Sequence, residues 1–144
     1  MKIKLLSLIT IAITTIACLS GCNQSSMGNQ AITTIIATGT GLAFQYVPMG
    51  SNKQLIAKYV SGIAGGARAL TGNETDAEAA QLLASYVPSD VLTQFPAIGT
   101  TVIPQVVGYY QNAKKEFGTN HQGFVDRMNA VASGLEQGVS SFIN

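Results

Sequence analysis

Residues 119–144 read TNHQGFVDRMNAVASGLEQGVSSFIN, and their periodicity decides the fold class. Phe124, Met128, Val131, Leu135, Val139 and Phe142 recur at spacings of three and four, which on a helix of 3.6 residues per turn forms one apolar stripe. Thr119 followed by Gln122 predicts a capping box at the start of this helix. Ala130, Gly134 and Gly138 form a second row, of small residues, along the same segment.

The pattern repeats upstream. Ile98, Val102, Val106, Tyr109 or Tyr110, Ala113 and Phe117 are periodic over 97–117. Pro104 interrupts them, and since Pro suits a first helical turn better than an interior, the firm helix is expected to begin near it. Thr75 with Glu78 predicts another capping box, with Leu82, Leu83 and Tyr86 on the buried side and Pro88 as the stop. Ser89 is expected to cap one further turn, Asp90 to Phe95. Leu55, Ile56, Tyr59, Val60, Ile63, Ala67 and Leu70 predict a helix opening at Ser51, where Ser51 and Gln54 fit a capping box; it stops at Thr71-Gly72-Asn73. Before it, Ile32, Ile35, Ile36, Leu42, Ala43, Tyr46 and Val47 predict a helix from Ala31, ended by Pro48 and Gly50. Alternating strand-type runs are scarce. The expectation is an all-α chain, a compact bundle of about five short helices over residues 31–144.

Glycine is placed inside these helices at a cost of about 1 kcal/mol each relative to Ala. Gly62 and Gly66 lie four apart in the second helix, with Ala57, Ser61, Gly65 and Ala69 as a parallel row; Gly134 and Gly138 lie four apart in the last. Removing side-chain bulk at such spacing lets two backbones approach closely. Gly62, Gly66, Gly134 and Gly138 are therefore the candidate helix-contact face, packing within the bundle, against another chain or within a membrane.

The remaining residues exclude more chemistry than they suggest. His121 is the only imidazole in the chain. It has no obvious nucleophile or orienting carboxylate, and reads as an exposed residue of a first helical turn. Zinc needs three or four N, S or O ligands, which one His without a free thiol does not supply. Glu74, Asp76 and Glu78 are the only acidic cluster; they lack the Gly and distal Glu of a calcium loop and suit a helix N-terminus. Gly65-Gly66 and Gly39-Thr40-Gly41 do not fit a phosphate-cradling strand-to-helix turn. Tyr46-Val47-Pro48 and Tyr86-Val87-Pro88 repeat once, too few copies for an array. No catalytic residue, metal ligand or cofactor is assigned, and the expectation is a protein that is not an enzyme.

The N-terminus carries the most specific signal. Residues 1–22 are MKIKLLSLITIAITTIACLSGC. Lys2 and Lys4 precede an uncharged, mostly apolar run from Leu5 to Leu19, too short to span a membrane comfortably and of the length found in a secretion signal. Leu19-Ser20-Gly21-Cys22 resembles the lipobox of bacterial lipoproteins. The resemblance covers residues 1–22 only. It implies that 1–21 is a signal peptide removed before Cys22, that the Cys22 sulfur carries diacylglyceryl, and that the new amine is acylated. Asn23 departs from the Asp that favours inner-membrane retention, so in a Gram-negative host the resemblance implies an outer-membrane anchor facing the periplasm. Residues 22–30, CNQSSMGNQ, then read as the lipidated Cys and a short flexible tether.

With Cys18 removed and Cys22 acylated, the mature chain keeps no thiol for a disulfide. It would keep six basic and seven acidic residues, with no basic stripe for nucleic acid and no polybasic patch for anionic lipid. Residues 23–52 and 91–113 hold no charge. Both are diluted by Thr, Gln, Asn, Gly and Pro, and read as bundle helices, with a peripheral or inserting role as the minor reading. The expected function is that of a membrane-anchored, non-enzymatic envelope lipoprotein acting by contact with an envelope protein or by self-association, as an accessory, assembly or exclusion-type factor. The alternatives are a module binding a hydrophobic ligand such as an acyl chain, and a membrane-active pore or plug.

Overall fold

The structure, a computed structural model, describes residues 28–46 and 50–143. The expected signal peptide, Cys22, Asn23 and the expected tether up to residue 27 lie outside the described residues. Six α-helices are present among those described: α1 (Asn29–Tyr46), α2 (Lys53–Ala69), α3 (Asp76–Ala84), α4 (Ser89–Gln94), α5 (Ile103–Phe117) and α6 (His121–Val139). A 3-10 turn, Gly50–Asn52, leads into α2; a π-helical turn, Ile98–Val102, leads into α5; and a 3-10 turn, Ser140–Phe142, follows α6. The chain is an all-α bundle, as its periodicity predicts.

The last helix is the axis of the bundle. Helix α6 packs against α1, α2 and α5. Phe124, Met128, Val131, Leu135 and Val139 are all buried, while Phe142 is half-buried against Phe44 with ring centroids 5.5 Å apart. Fully buried Ile32 and Ile63 join this core from α1 and α2, Leu83 from α3 and Tyr110 from α5. Burying an aliphatic side chain of this size contributes about 1.5–3 kcal/mol, so packing carries the fold.

Helix boundaries follow local chemistry, with corrections. The Thr75–Glu78 capping box forms in both directions: Glu78 N–H donates to Thr75 Oγ1 at 3.2 Å and Thr75 N–H to Glu78 Oε2 at 2.8 Å. The box expected at Thr119 does not form. Asn120 is the cap, its Oδ1 accepting from Gly123 N–H at 3.1 Å, while Gln122 turns to Asp126. The three-residue offset from Asn120 ends on a glycine for a reason: a Cβ at position 123 would collide with the Phe117 ring. Ser89 is the first helical residue of α4, with Pro88 in the cap position and no side-chain cap. Helix α2 begins at Lys53, and Gln54 donates to the Ile143 carbonyl at 2.7 Å instead of capping; the Ser51 side chain lies outside the described set. Pro104 stands in the first turn of α5, where its missing N–H is no loss.

Helix α1 departs most from its predicted face. Ile32, Ile36, Gly39, Ala43 and Phe44 are buried, whereas Leu42 is 47% and Tyr46 73% exposed. Tyr86, also predicted to be buried, is 42% exposed.

Candidate functional site

The four glycines proposed as a contact face lie in two contacts, both within this chain. Gly134 and Gly138 lie on the side of α6 that meets α1. A Cβ at 134 would stand 2.7 Å from Ile36 Cβ and 2.9 Å from the Thr33 carbonyl; one at 138 would stand 2.6 Å from Thr40 Cβ and 2.9 Å from the Ala37 carbonyl. Side-chain bulk is excluded there by backbone as well as by side chains. The closeness lets Thr33 Oγ1 donate to the Ala130 carbonyl at 2.9 Å, so Ala130, Gly134 and Gly138 form one seam. Gly62 and Gly66 lie at the other contact, under Tyr86. A Cβ at 66 would meet the Tyr86 ring at 3.0 Å and Leu83 Cδ2 at 3.1 Å, and one at 62 the Tyr86 carbonyl at 3.2 Å. This chain's own residues occupy all four positions.

The densest polar cluster sits at the α2–α3 turn. One carboxylate, Glu74, accepts from Thr71 N–H at 3.0 and 3.1 Å, Thr71 Oγ1 at 2.8 Å, Gly72 N–H at 3.0 Å and the Tyr110 hydroxyl at 3.0 Å. The Glu74 carbonyl accepts from Tyr110 at 2.6 Å and from Lys114 Nζ at 3.0 Å, and that ammonium also lies 4.8 Å from the Tyr110 ring centroid. Burial opposes the Glu74 charge, but backbone N–H donors and the Thr71 and Tyr110 hydroxyls outweigh it and hold its pKa at about 2. Burial, together with the adjacent Glu74 carboxylate, pushes the Tyr110 phenol well up. Gly72, at φ +92°, supplies the left-handed residue this turn requires. Glu74 is therefore a turn anchor rather than a helix-end charge; only Asp76 and Glu78 occupy the first turn of α3.

Two ion pairs brace α6. Buried Arg127 donates to Glu116 Oε2 at 2.8 Å and to Asn29 Oδ1 at 2.7 Å, with its guanidinium 5.0 Å from the Phe117 ring centroid. At the surface Arg68 of α2 pairs with Glu136, Nη2 to Oε2 being 2.8 Å. Hydrogen bonding to Arg68 lowers the Glu136 pKa and raises that of Arg68.

Among the described residues, an apolar cavity and a more open cleft differ in character. An open polar cleft of about 450 Å³ is lined by Thr71, Asn73, Lys114, Thr119, His121 and Phe124. His121, exposed at the start of α6, lies on its rim. An apolar cavity of about 50 Å³ lies between α1, α2, α5 and α6, lined by Ile36, Phe44, Val60, Val106, Tyr109 and Leu135 among others. Among the described residues no three His, Cys, Asp or Glu side chains are grouped to hold a metal. Nor is any described helix long and apolar enough to cross a membrane.

Sequence reasoning missed the Glu74 hub because Tyr110 and Lys114 lie 36 and 40 residues away along the chain. The only local signal was Thr71 placed three residues before Glu74 at a Gly turn. Comparison with known protein families, with curated proteins and with solved structures finds no match for this chain.

Proposed function

We propose that this chain is a lipid-anchored envelope protein that acts by contact, with no reaction of its own. The observation that carries the reading is the segment Leu19-Ser20-Gly21-Cys22 behind an uncharged run, joined by a few polar residues to a helical bundle. Anchoring through several acyl chains is stable, each buried CH2 contributing roughly 0.8 kcal/mol. The use of the polar side chains supports it. Those with displaced proton affinities, Glu74, Tyr110, Arg68 and Glu136, are bonded to one another or to backbone across helix junctions, the arrangement of groups that hold a fold. Contact with an envelope protein, in the outer membrane if the host is Gram-negative, then falls to exposed surface, since the glycine faces are filled.

Metabolic labelling with a clickable fatty acid, followed by crosslinking in the envelope, tests the proposal. Incorporation lost in Cys22→Ser together with a discrete crosslinked species supports it. An unlabelled chain, or a labelled one that never crosslinks to protein, counts against it.

The apolar cavity favours one second reading, an acyl-chain binding module. Ligand pockets usually enclose roughly 300 Å³ or more, so α1 and α5 would have to part around a cavity of about 50 Å³. Native mass spectrometry of the purified protein, looking for a co-purifying lipid beyond the covalent anchor, separates the readings.

A further inference from the structure

Helix α1 carries no charged residue on any side. Its inner side meets α6. Its outer side exposes the uncharged polar residues Gln30, Thr34 and Gln45, and beside them run Ala31, Ile35, Thr38, Leu42 and Tyr46, at spacings of four, three, four and four, which is one helical stripe. Ala31, Thr38, Leu42 and Tyr46 are exposed and Ile35 is half-buried. Four of the five are apolar or aromatic. The fifth, Thr38, adds a methyl and a hydroxyl at the middle of the stripe. Soluble helices ordinarily set charged residues opposite the side they bury; here the side opposite α6 offers Leu42 and Tyr46 instead.

We propose that this outer stripe of α1 rests on the lipid surface to which Cys22 is tethered, so that the helix lies flat on the membrane and sets the orientation of the bundle. This placement rests on the anchor reading above. Three observations select lipid. First, Asn29 follows Cys22 by seven positions, and a chain of that length reaches at most about 25 Å, so the helix is never far from the bilayer. Second, the stripe has no charge and mixes large apolar groups with the hydroxyls of Thr38 and Tyr46. That mixture suits the boundary between acyl chains and headgroups, and it needs no anionic lipid. Third, five side chains fall well short of the roughly 20–30 residues a side that a standard protein interface uses, which disfavours a second copy as the cover. A weak face suffices for lipid because the tether makes its binding intramolecular, at an effective concentration on the order of millimolar. The helix is about 27 Å long and, like every described helix, does not qualify as a span; an interfacial helix of this kind sinks about 5–10 Å into the headgroup boundary.

The test uses the full lipidated chain in phosphatidylcholine vesicles. Thr38→Cys, Leu42→Cys and, as control, Gln81→Cys on exposed α3 are labelled with an environment-sensitive fluorophore. All three positions are exposed, so the substitutions spare the core; circular dichroism checks the fold. The expected result is blue-shifted emission at 38 and 42 that is quenched in brominated lipid and indifferent to salt, with emission at 81 unaffected. Equal, water-like emission at all three positions overturns the inference while leaving the anchor standing. Protection at 42 that depends on protein concentration and comes with 42-to-42 crosslinks assigns the stripe to a second copy, and overturns it too. Mass spectrometry of the purified chain reads the anchor separately: an unmodified Cys22 removes the anchor reading and this inference with it.

Discussion

Two helix contacts in this bundle use glycine pairs of the same spacing and end in different physics. At the α1–α6 seam, Gly134 and Gly138 face the backbone and Cβ atoms of the opposite helix. At the α2–α3 corner, Gly66 faces the ring of Tyr86 and the end of Leu83, while Gly62 faces the Tyr86 backbone carbonyl. A carbonyl cannot turn away, whereas a ring can. The seam is therefore rigid and sequence-intolerant, and the corner is adjustable at Gly66. The corner also carries the titratable hub around Glu74, and the α1 side of the seam, Thr33 to Thr40, carries no ionisable group.

The sharpest break should come at the seam. Gly134→Val forces branched bulk against Ile36 and the Thr33 carbonyl, and should lower stability by about 3 kcal/mol, the upper end of overpacking costs. Urea unfolding reads this, and an unchanged midpoint would mean that α1 is not held as described. Truncating Ile36 should not restore it, because the carbonyl remains.

The hub comes next. Tyr110→Phe removes hydrogen bonds to Glu74 and should cost about 1 kcal/mol at neutral pH. The acid limb isolates the carboxylate. Glu74 is held at about 2 in the fold, below the ordinary value of 4.5, so its contribution is full above that ordinary value and is lost as pH falls toward 2. The stability gap between wild type and Glu74→Gln should close across that window, whereas the Gly134→Val deficit should not depend on pH. A gap that stays constant down to about pH 2.5 would contradict the hub.

Adjustability is the next contrast. Gly66→Ala should cost no more than about 1 kcal/mol, a ring shift set against the helix propensity gained. In a Tyr86→Ala background the same change should turn stabilising, and a thermal double-mutant cycle would register the coupling. Smallest of all, Arg68→Met at the exposed ion pair should move stability by less than about 1 kcal/mol, and high salt should erase the difference. Gly108→Ala serves as the open-space control. Nothing lies within 4 Å of its Cβ position, so it should gain up to about 1 kcal/mol from propensity alone.

The corner and the seam also differ in how far the sequence disclosed them. The stripe Phe124, Met128, Val131, Leu135, Val139 was legible because polar residues flank it and leave one orientation. The Thr75–Glu78 box was legible because all its partners are local. Helix α1 was legible as a helix but not as a face: with Ile35, Leu42 and Tyr46 beside Ile36, Ala43 and Phe44 in sequence and no charged residue among them, periodicity has no charged side to exclude. The glycine rows were legible as close-approach sites, but what approaches each is a tertiary fact: backbone and Cβ atoms of α1 at Gly134 and Gly138, a ring at Gly66 and a carbonyl at Gly62. Arg127, a charge at home on most surfaces, is buried because Glu116 and Asn29 meet it from two other helices.

The helix nearest the N-terminus of the described chain takes its main partner from the C-terminal end. Thr33 bonds to Ala130, 97 positions away, and Asn29 to Arg127, 98 away. Loops of that length close slowly. A chain emerging N-terminus first presents α1 well before α6, so the seam cannot shut until the chain as far as Gly138 is out. Emergence of α6 thus acts as the timer for folding of the seam. A chain stopped short of α6 leaves Ile32, Ile36 and Phe44 uncovered on a helix with no charge to keep it apart from its neighbours, the kind of surface that chaperones and proteases recognise.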